Sequence, residues 1–269
     1  MKLVVISPEH DDPREIAVLG ALFATGLERY HVRKPHWNAE QLAVWLRALP
    51  RAWYPRLVLH QHHELVAEFG LGGRHWRDES RGYPKTLARR TIVGARSCRA
   101  LNQGRSKPAP LRPSFGFRTA PNDGGFTSRS CHDLATLRAA LGRYDSVFFG
   151  PMFSSISKPG HGPRPELSLA ELSALLARRT SAEQRTAVLA LGGVTAQNLS
   201  RCRDLGFDGA AVLGAVWQAP DPVDAFHKLQ AALGAALERC ISTQSALSQD
   251  PRTRSDEPAT RTATPSPVG

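Results

Sequence analysis

The sequence predicts a single-domain (β/α)8 barrel, an α/β fold of the TIM-barrel type, and two observations carry that prediction. Short apolar segments alternate with amphipathic ones along most of the 269 residues. Apolar strands flanked by helices indicate a parallel sheet that is covered on both faces. The strand-like segments number eight, and eight β/α units can close into a barrel that leaves no exposed sheet edge.

The predicted elements follow from local patterns. Apolar runs rich in Val, Leu, Ile and Ala predict most of the strands, with weaker signals for the fourth and fifth, at 2–6, 30–32, 57–59, 73–76, 129–131, 146–152, 187–191 and 210–215. Amphipathic spacing predicts the helices, at 13–25, 64–69, 167–178, 196–205 and 222–237, with one more capped by Asn38 and extending to Leu49.

The positive charge of the chain is concentrated in one segment. The net charge is +11, and residues 81–127 contain ten Lys or Arg against one acid, Asp123, an excess of +9. This stretch is rich in Gly, Pro, Arg and Ser, which predicts a flexible basic loop insertion rather than a nucleic-acid-binding surface of the barrel. The barrel is therefore expected over 1–240, interrupted by the insertion. A polar, Pro/Thr/Ser-rich disordered tail is expected over 241–269.

The sequence also predicts where the protein resides. No apolar run approaches the roughly 20 residues that cross a bilayer, and the N-terminus lacks a secretory pattern. The cysteines form no CxxC pair and predict reduced thiols in the cytoplasm; they are Cys98, Cys131, Cys202 and Cys240. We expect no membrane partner. Whether the chain forms a homo-oligomer stays open.

Residues at the ends of the last three strands predict a phosphate site. Reactive groups of such barrels lie at the C-terminal ends of the strands, and phosphate commonly binds at the seventh and eighth loops. Glycines there allow close approach to backbone amides at a helix N-terminus, and hydroxyl groups with one cation follow the sixth strand. These residues are Gly192, Gly193, Leu213 and Gly214, with Ser155, Ser157 and Lys158.

Histidines collect at the ends of the second and third strands. His31, His60, His62 and His63 have the look of a metal cluster, and His60 and His62 share a strand face if the strand continues. No carboxylate or thiolate partner is evident, so the ligand set favours no metal site. Cys131 and the neighbouring His132 point to opposite faces of a strand, which indicates packing rather than a nucleophile for Cys131.

Four motifs resemble the thiamine phosphate synthase/TenI superfamily. They are Tyr30-His31-Val32-Arg33, the segment from Phe149-Gly150-Pro151-Met152 through Ser157-Lys158-Pro159-Gly160, Leu189-Ala190-Leu191-Gly192-Gly193-Val194-Thr195, and Gly206-Phe207-Asp208-Gly209 through Leu213-Gly214. The resemblance spans about 2–80 and 128–235. It implies an enzyme of thiamine biosynthesis whose partner is a small phosphorylated thiazole.

The resemblance also implies roles for individual residues. Ser155 and Ser157, with the backbone of Gly193, Leu213 and Gly214, would hold the thiazole phosphate. Other positions match groups that contact pyrophosphate in the synthase: Lys158, Arg33 and Ser130. His132 matches the catalytic histidine of the tautomerase branch, and Arg33 the arginine near its substrate carboxylate. Further pocket positions are His31, Lys34, His60 and Gln61.

Departures from the family pattern separate two reactions. The synthase joins a pyrimidine pyrophosphate to the thiazole phosphate and uses Mg²⁺. Its metal-binding Asn-Asp pair falls here on His60 and Gln61, its second aspartate near Ser80, and its lysine on Pro35. Neutral ligands weaken Mg²⁺ binding, although Asp78 and Glu79 are alternative ligands if the chain is a synthase.

We therefore expect a TenI-type thiazole tautomerase that needs no metal, with the synthase as the alternative. The tautomerase moves a proton on a thiazole carboxylate phosphate, which one positioned histidine can do. A third hypothesis is a non-catalytic protein that binds a phosphorylated ligand, or nucleic acid through the basic insertion.

Overall fold

A computed structural model describes residues 1–78, 124–154 and 162–247, and side chains as far as residue 234. Eight parallel strands close into a barrel in sequence order, β1 beside β2 and finally β8 beside β1. The strands are β1 (Lys2–Ile6), β2 (Tyr30–Val32), β3 (Leu57–Leu59), β4 (Gly73–Trp76), β5 (Phe126–Cys131), β6 (Ser146–Phe149), β7 (Ala187–Leu191) and β8 (Gly209–Val212). The predicted fold class is confirmed.

The helices follow the strands and cover the barrel. They are α1 (Glu15–Ala24), α2 (Ala39–Arg47), α3 (Glu64–Phe69), α4 (Leu134–Ala140), α5 (Leu169–Ala177), α6 (Leu199–Asp204), α7 (Gly214–Trp217) and α8 (Pro222–Leu247). Two 3₁₀ segments, Arg51–Arg56 and Glu183–Arg185, precede β3 and β7. Among the described residues, no helix combines the length and apolar character needed to cross a membrane.

Side-chain caps define the starts of several helices. Asn38 accepts a hydrogen bond from the backbone of Gln41, whose side chain in turn accepts one from the Asn38 backbone. This reciprocal pair satisfies two amides that a helix start leaves unpaired. The side chains of Asp133 and Ser168 cap α4 and α5 by accepting one backbone hydrogen bond each. The predicted cap at Asn38 is confirmed, whereas α4 was not predicted.

Apolar side chains form two separate clusters. The larger lies between the barrel and its helices and includes Leu19, Leu22 and Phe149. The smaller fills part of the barrel interior with residues from β1, β6, β7 and β8: Val4, Ile6, Phe148, Ala187, Leu189 and Ala211. In a parallel strand alternate residues face the barrel interior, so β1, β6, β7 and β8 each contribute to both clusters.

The interior residues of β2 to β5 are different in kind. His31, His75 and Ser128 are buried there, with His60 just beyond β3. The barrel interior therefore has an apolar half, formed by β1, β6, β7 and β8, and a polar half, formed by β2 to β5. The polar half is defined by His31, His60, His75, Ser128 and Ser130.

Several predicted boundaries are wrong. β6 ends at Phe149 rather than at residue 152, and Gly214 and Ala215, which were expected in the eighth strand, lie in α7. Phe126 and Thr127, assigned to the basic insertion, belong to β5, because they pair with Gly73 and Arg74 of β4. Residues 241–247, assigned to the disordered tail, continue α8 as far as Leu247. No Gly or Pro interrupts that stretch before Pro251, so nothing local stops the helix. The remainder of the insertion, through residue 123, and of the tail lies outside the described residues.

Candidate active site

The loops that follow β6 and β7 are bonded to each other. The Met152 amide donates to the Leu191 carbonyl at 2.9 Å, and the Phe153 amide donates to the Gly192 carbonyl at 3.0 Å. The chain after β6 therefore lies directly against the start of the β7 loop. Such backbone bonds hold the two loops in a defined relation at the C-terminal end of the barrel.

Glycine is required at the two positions where these loops meet. Gly192 and Gly193 have φ values of 90° and 64°, in the left-handed region that side-chain-bearing residues rarely adopt. A Cβ on Gly193 would also lie 2.2 Å from the Ser154 carbonyl oxygen, and one on Gly192 would lie 2.8 Å from the Pro151 side chain. The two glycines thus combine an unusual backbone with very close loop contact.

Backbone groups at the β7 and β8 ends have the features that the phosphate prediction needs. Asn198 ties the β7 loop together, since its side chain accepts from the Thr195 amide at 2.9 Å and donates to the Gly193 carbonyl at 2.8 Å. Leu213 and Gly214 are half-buried and begin α7. The first amides of a helix have no partner within it. The described part of the predicted phosphate site is thus collected on adjacent loops.

Three predicted phosphate contacts follow the described part of the β6 loop in sequence. Ser155, Ser157 and Lys158 lie outside the described residues, as does Glu79. Their roles stay predictions from the family resemblance.

His132 is held in one orientation at the end of β5. Its Nδ1 lies 2.6 Å from the Gly150 carbonyl oxygen, and because a carbonyl can only accept, Nδ1 carries the hydrogen. In the neutral ring Nε2 is then the basic atom. The half-buried side chain is a group able to exchange a proton, and it bridges β5 to the β6 loop.

Arg33 and Lys34 are adjacent in sequence but have different surroundings. The Arg33 guanidinium forms an ion pair with Glu9 and keeps 28% side-chain exposure. The Lys34 ammonium is fully buried, 2.6 Å from Glu15 Oε2, and also donates to the His10 carbonyl. Arg33 therefore stays accessible from the β1 and β2 loops. The Lys34 ammonium is a structural cation between β2 and α1, whereas its backbone carbonyl accepts a hydrogen bond from Gln61.

Three buried histidines come together on β2, at the end of β3, and on β4. Nδ1 of His31 lies 3.1 Å from Nε2 of His60. The His60 and His75 rings are stacked with centroids 4.0 Å apart. His75 is bonded through both nitrogens, to Ser128 Oγ at 2.9 Å and Ser130 Oγ at 2.8 Å. The predicted pocket residues His31, His60 and Ser130 thus belong to one polar network.

Burial keeps this network uncharged. It lowers the pKa of His31 to about 3, with a smaller contribution from Arg29. Burial also lowers the pKa of His60 and of His75 well below 6.5, and the neighbouring histidines add to the effect. The imidazoles are therefore neutral near pH 7. His31 Nε2 is buried without a hydrogen-bond partner, a situation that costs about 1–3 kcal/mol.

The residues at the expected Mg²⁺ position do not suit that ion. The Gln61 side chain donates to the Lys34 carbonyl, and His60 belongs to the histidine network. Asp78 forms an ion pair with Arg129, at 3.7 Å. Within the described residues, the group whose atoms could share a metal ion consists of His31, His60 and His75, and Mg²⁺ requires oxygen ligands. We derive no catalytic step through Mg²⁺.

Sequence reasoning missed two members of the polar network. His75 and Ser128 were not among the predicted site residues, although both are buried and bonded to each other. β4 has four residues, too few to show which of them face the interior. The register of β4 against β5 places His75 opposite Ser128. The remaining histidines of the sequence cluster point elsewhere: His62 bonds the Trp37 carbonyl and His63 the His75 carbonyl.

Known proteins resemble this chain in both sequence and structure. The family model described as thiamine monophosphate synthase matches residues 120–216. The thiamine-phosphate synthase of Bordetella bronchiseptica is 28% identical over 222 residues, 80% of this chain and 87% of that protein. A putative thiamine-phosphate synthase of Geobacter sulfurreducens is 24% identical over 222 residues, 81% of this chain and 86% of that protein. In sequence the chain is therefore similar to proteins of the thiamine phosphate synthase/TenI superfamily over about four fifths of its length.

Solved structures resemble the chain as well. A thiamine phosphate pyrophosphorylase from Bacteroides thetaiotaomicron has a TM-score of 0.59 and 26% identity, covering 87% of this chain and 98% of that one. The corresponding protein from Pyrococcus furiosus, at 18% identity and a TM-score of 0.58, covers 88% of this chain and 96% of that one and supports the fold alone. The superfamily resemblance predicted from the motifs is therefore confirmed.

Proposed function

We propose that this chain binds a thiazole phosphate at the C-terminal ends of β6, β7 and β8 and couples it to a pyrimidine pyrophosphate, releasing pyrophosphate. The observation that carries the proposal is the likeness, over about four fifths of the chain, to proteins named thiamine-phosphate synthase. The sequence analysis placed the tautomerase first. The relatives reverse that order, because those compared above carry the synthase name or its synonym, pyrophosphorylase.

The loop geometry supports binding of the phosphate. The β6 and β7 loops are bonded together, and Gly192 and Gly193 permit their close approach at the C-terminal end of the barrel. The start of α7 contributes the amides of a helix N-terminus, which attract anions. Ser155, Ser157 and Lys158 follow directly after the β6 loop and would complete the phosphate contacts.

The coupling reaction needs positive charge near the leaving pyrophosphate. A bond forms between the pyrimidine methylene carbon and the thiazole nitrogen, while the carbon–oxygen bond to pyrophosphate breaks and its electrons leave with the oxygen. Arg33 lies at the end of β2 with part of its guanidinium exposed, and a guanidinium has five donors in a planar fork. We assign it the pyrophosphate, together with Lys158.

The tautomerase is the second candidate because of His132. Its Nδ1 is anchored to the Gly150 carbonyl, which leaves Nε2 to take and return a proton. This proton transfer needs no metal ion, which suits a site whose described residues do not favour Mg²⁺. For this activity, the expected effect of His132→Ala is a loss of about 10²–10⁴-fold in turnover, with binding of the thiazole phosphate retained.

An assay of the purified full chain distinguishes the two reactions. The chain is incubated with each substrate set, with and without chelator, and the products are separated and quantified. Formation of thiamine phosphate supports the proposal. Aromatised thiazole without any coupling product would overturn it in favour of the tautomerase, and neither product with either set would reject both.

Gly193→Ala tests the phosphate site itself. A hydrogen bond to a charged group contributes about 1.5–3 kcal/mol, so displacing this loop should weaken binding of the thiazole phosphate at least about tenfold in calorimetry. Gly234→Ala is the matched control, because a Cβ at Gly234 meets no atom within 4 Å. Equal affinity in both variants would place the phosphate elsewhere.

A further inference from the structure

The reaction proposed above makes no use of His31, His60 and His75. These buried side chains come from three neighbouring strands, and one ring nitrogen from each lies within 4.8 Å of the other two. Since the sequence separates His31 from His75 by the whole of α2 and α3, their meeting is a product of the barrel closure. We define these three residues as the histidine cluster.

Hydrogen bonding within the protein leaves the cluster incompletely satisfied. A neutral imidazole offers one donor and one acceptor. Nδ1 of His31 and Nε2 of His60 form one hydrogen bond with each other, at 3.1 Å, in which one nitrogen donates and the other accepts. The other ring nitrogen of the fully buried His31, Nε2, has no hydrogen-bond partner. Each neutral imidazole has one nitrogen lone pair. Three such lone pairs in one buried space suit a ligand that accepts electron pairs.

We propose that His31, His60 and His75 bind one divalent transition metal ion of the Zn²⁺ type. Zinc–nitrogen bonds of about 2.0–2.1 Å in a tetrahedral site hold two ligand nitrogens about 3.3 Å apart. The His31–His60 separation of 3.1 Å is close to that value. The third nitrogen, from His75, lies within 4.8 Å of the other two, and binding of the ion requires the stacked His75 ring to turn toward it. A fourth position is then left for water or another ligand.

Serines support the cluster from the β5 side. Ser128 and Ser130 bond the two nitrogens of His75, so one serine can hold the ring after the other nitrogen turns to the metal. Ligating histidines commonly have their second nitrogen bonded in this way, which orients the ring. His60 adds access, because it lies beyond the end of β3 and is 7% exposed.

The ligand set also decides which ions bind. Imidazole nitrogens suit zinc, copper, nickel and iron, whereas Mg²⁺ and Ca²⁺ require oxygen. His60 occupies the position where the family resemblance places part of the Mg²⁺ site of the synthase. The cluster therefore selects a transition metal over Mg²⁺, and this selectivity does not depend on which reaction the chain performs.

The test is metal binding by the tag-free full chain. Protein stripped with chelator is titrated with Zn²⁺ in a calorimeter, and its metal content after dialysis is measured by elemental analysis. The expected result is one tightly bound ion per chain that a large excess of Mg²⁺ does not displace. A chain that retains no zinc, or loses it to Mg²⁺, overturns the proposal.

Variants locate the ion. His60→Gln and His75→Gln keep a polar side chain of similar size, and each should weaken zinc binding at least about 100-fold, beyond the effect of losing a supporting hydrogen bond. His227→Gln, on an exposed position of α8, is the control and should bind zinc like the unmodified chain. Equal affinity in all three variants would overturn the proposal.

Spectroscopy tests the proposal on the unmodified chain and so does not depend on the folding of a variant. X-ray absorption of the zinc-loaded protein should show three imidazole ligands, and Co²⁺ in its place should give the intense visible bands of a tetrahedral site. A spectrum dominated by oxygen or sulfur ligands rejects the cluster as the site. A parallel titration with thiazole phosphate in chelator reports on the proposed function alone, so the failures of the two proposals are distinguishable.

Discussion

The two halves of the barrel interior bury opposite kinds of side chain, one apolar and the other polar. In the apolar half, Ile6, Phe148 and Leu189 pack against one another with almost no exposed surface. In the polar half, the rings of His31, His60 and His75 are buried as well, and they are neutral. Burying apolar groups stabilises a fold, whereas burying polar groups does so only when every hydrogen bond is made.

The difference teaches where stability and function separate in this barrel. The apolar half contributes packing that eight short strands need in order to close. The polar half retains a buried nitrogen without a partner, at His31, which packing alone does not require. Groups that fail to stabilise a fold are the ones to examine for binding or catalysis. Four predictions test this contrast, and all stability measurements are made in chelator.

The largest expected effect is in the apolar half. Leu189→Ala removes a side chain that is 1% exposed and leaves a cavity among Val4, Ile6 and Phe148. A loss of about 2–5 kcal/mol in the free energy of unfolding is expected, measured by urea denaturation. A loss below about 1 kcal/mol would show that this half is loosely packed and would remove the contrast.

Acid should destabilise the protein through the polar half. The folded-state pKa of His31 is about 3, well below the unfolded value near 6.5. Between these values the unfolded chain binds a proton that the folded chain does not, so stability falls as the pH drops below 6.5. From pH 6.5 to pH 5 the expected loss is up to about 2 kcal/mol for one such histidine.

The control for this pH effect is the pair of substitutions His31→Leu and His60→Leu in one chain. Urea denaturation at pH 7 and pH 5 should show a smaller loss of stability in the double variant than in the unmodified chain. An identical pH dependence would mean that these imidazoles have the same pKa in the folded and in the unfolded chain.

Single and double substitutions in the polar half should change the free energy of unfolding by different amounts. His31→Leu alone leaves His60 Nε2 without its partner at 3.1 Å, and a loss of about 1–3 kcal/mol is expected at pH 7. The double variant removes both partners and should be nearly neutral. Strictly additive losses in a double-mutant cycle would show that the two rings do not interact.

The smallest effect concerns a polar residue within the apolar half. Ser146 is 3% exposed and its hydroxyl has no hydrogen-bond partner. Ser146→Ala removes that unsatisfied group, so the free energy of unfolding should stay constant or rise by up to about 1 kcal/mol. Thr186→Ala is the contrasting control, because the Thr186 hydroxyl bonds the Tyr144 carbonyl at 2.6 Å and its removal should destabilise.

Much of the fold and half of the site could be predicted from local pattern. Apolar runs predicted six of the eight strands to within a few residues, weaker signals indicated β4 and β5, and Asn38 was identified as a cap from its residue type and place. The predictions of strands and of the cap succeed because they depend on neighbours within a few residues along the chain. The phosphate role of Gly192 and Gly193 stays a prediction, made because glycines recur at the adjacent seventh and eighth strand ends.

The rest depends on contacts between distant segments. Lys34 was expected in the pocket, yet Glu15 on α1 holds it in a buried ion pair. His75 was not selected, yet barrel closure places it beside His60 and Ser128. By itself the sequence determined the order of strands, helices and loops, because that order follows from local hydrophobic period. The tertiary structure alone decided which polar side chains share the interior, because strand register and burial set the partner and the charge of each group.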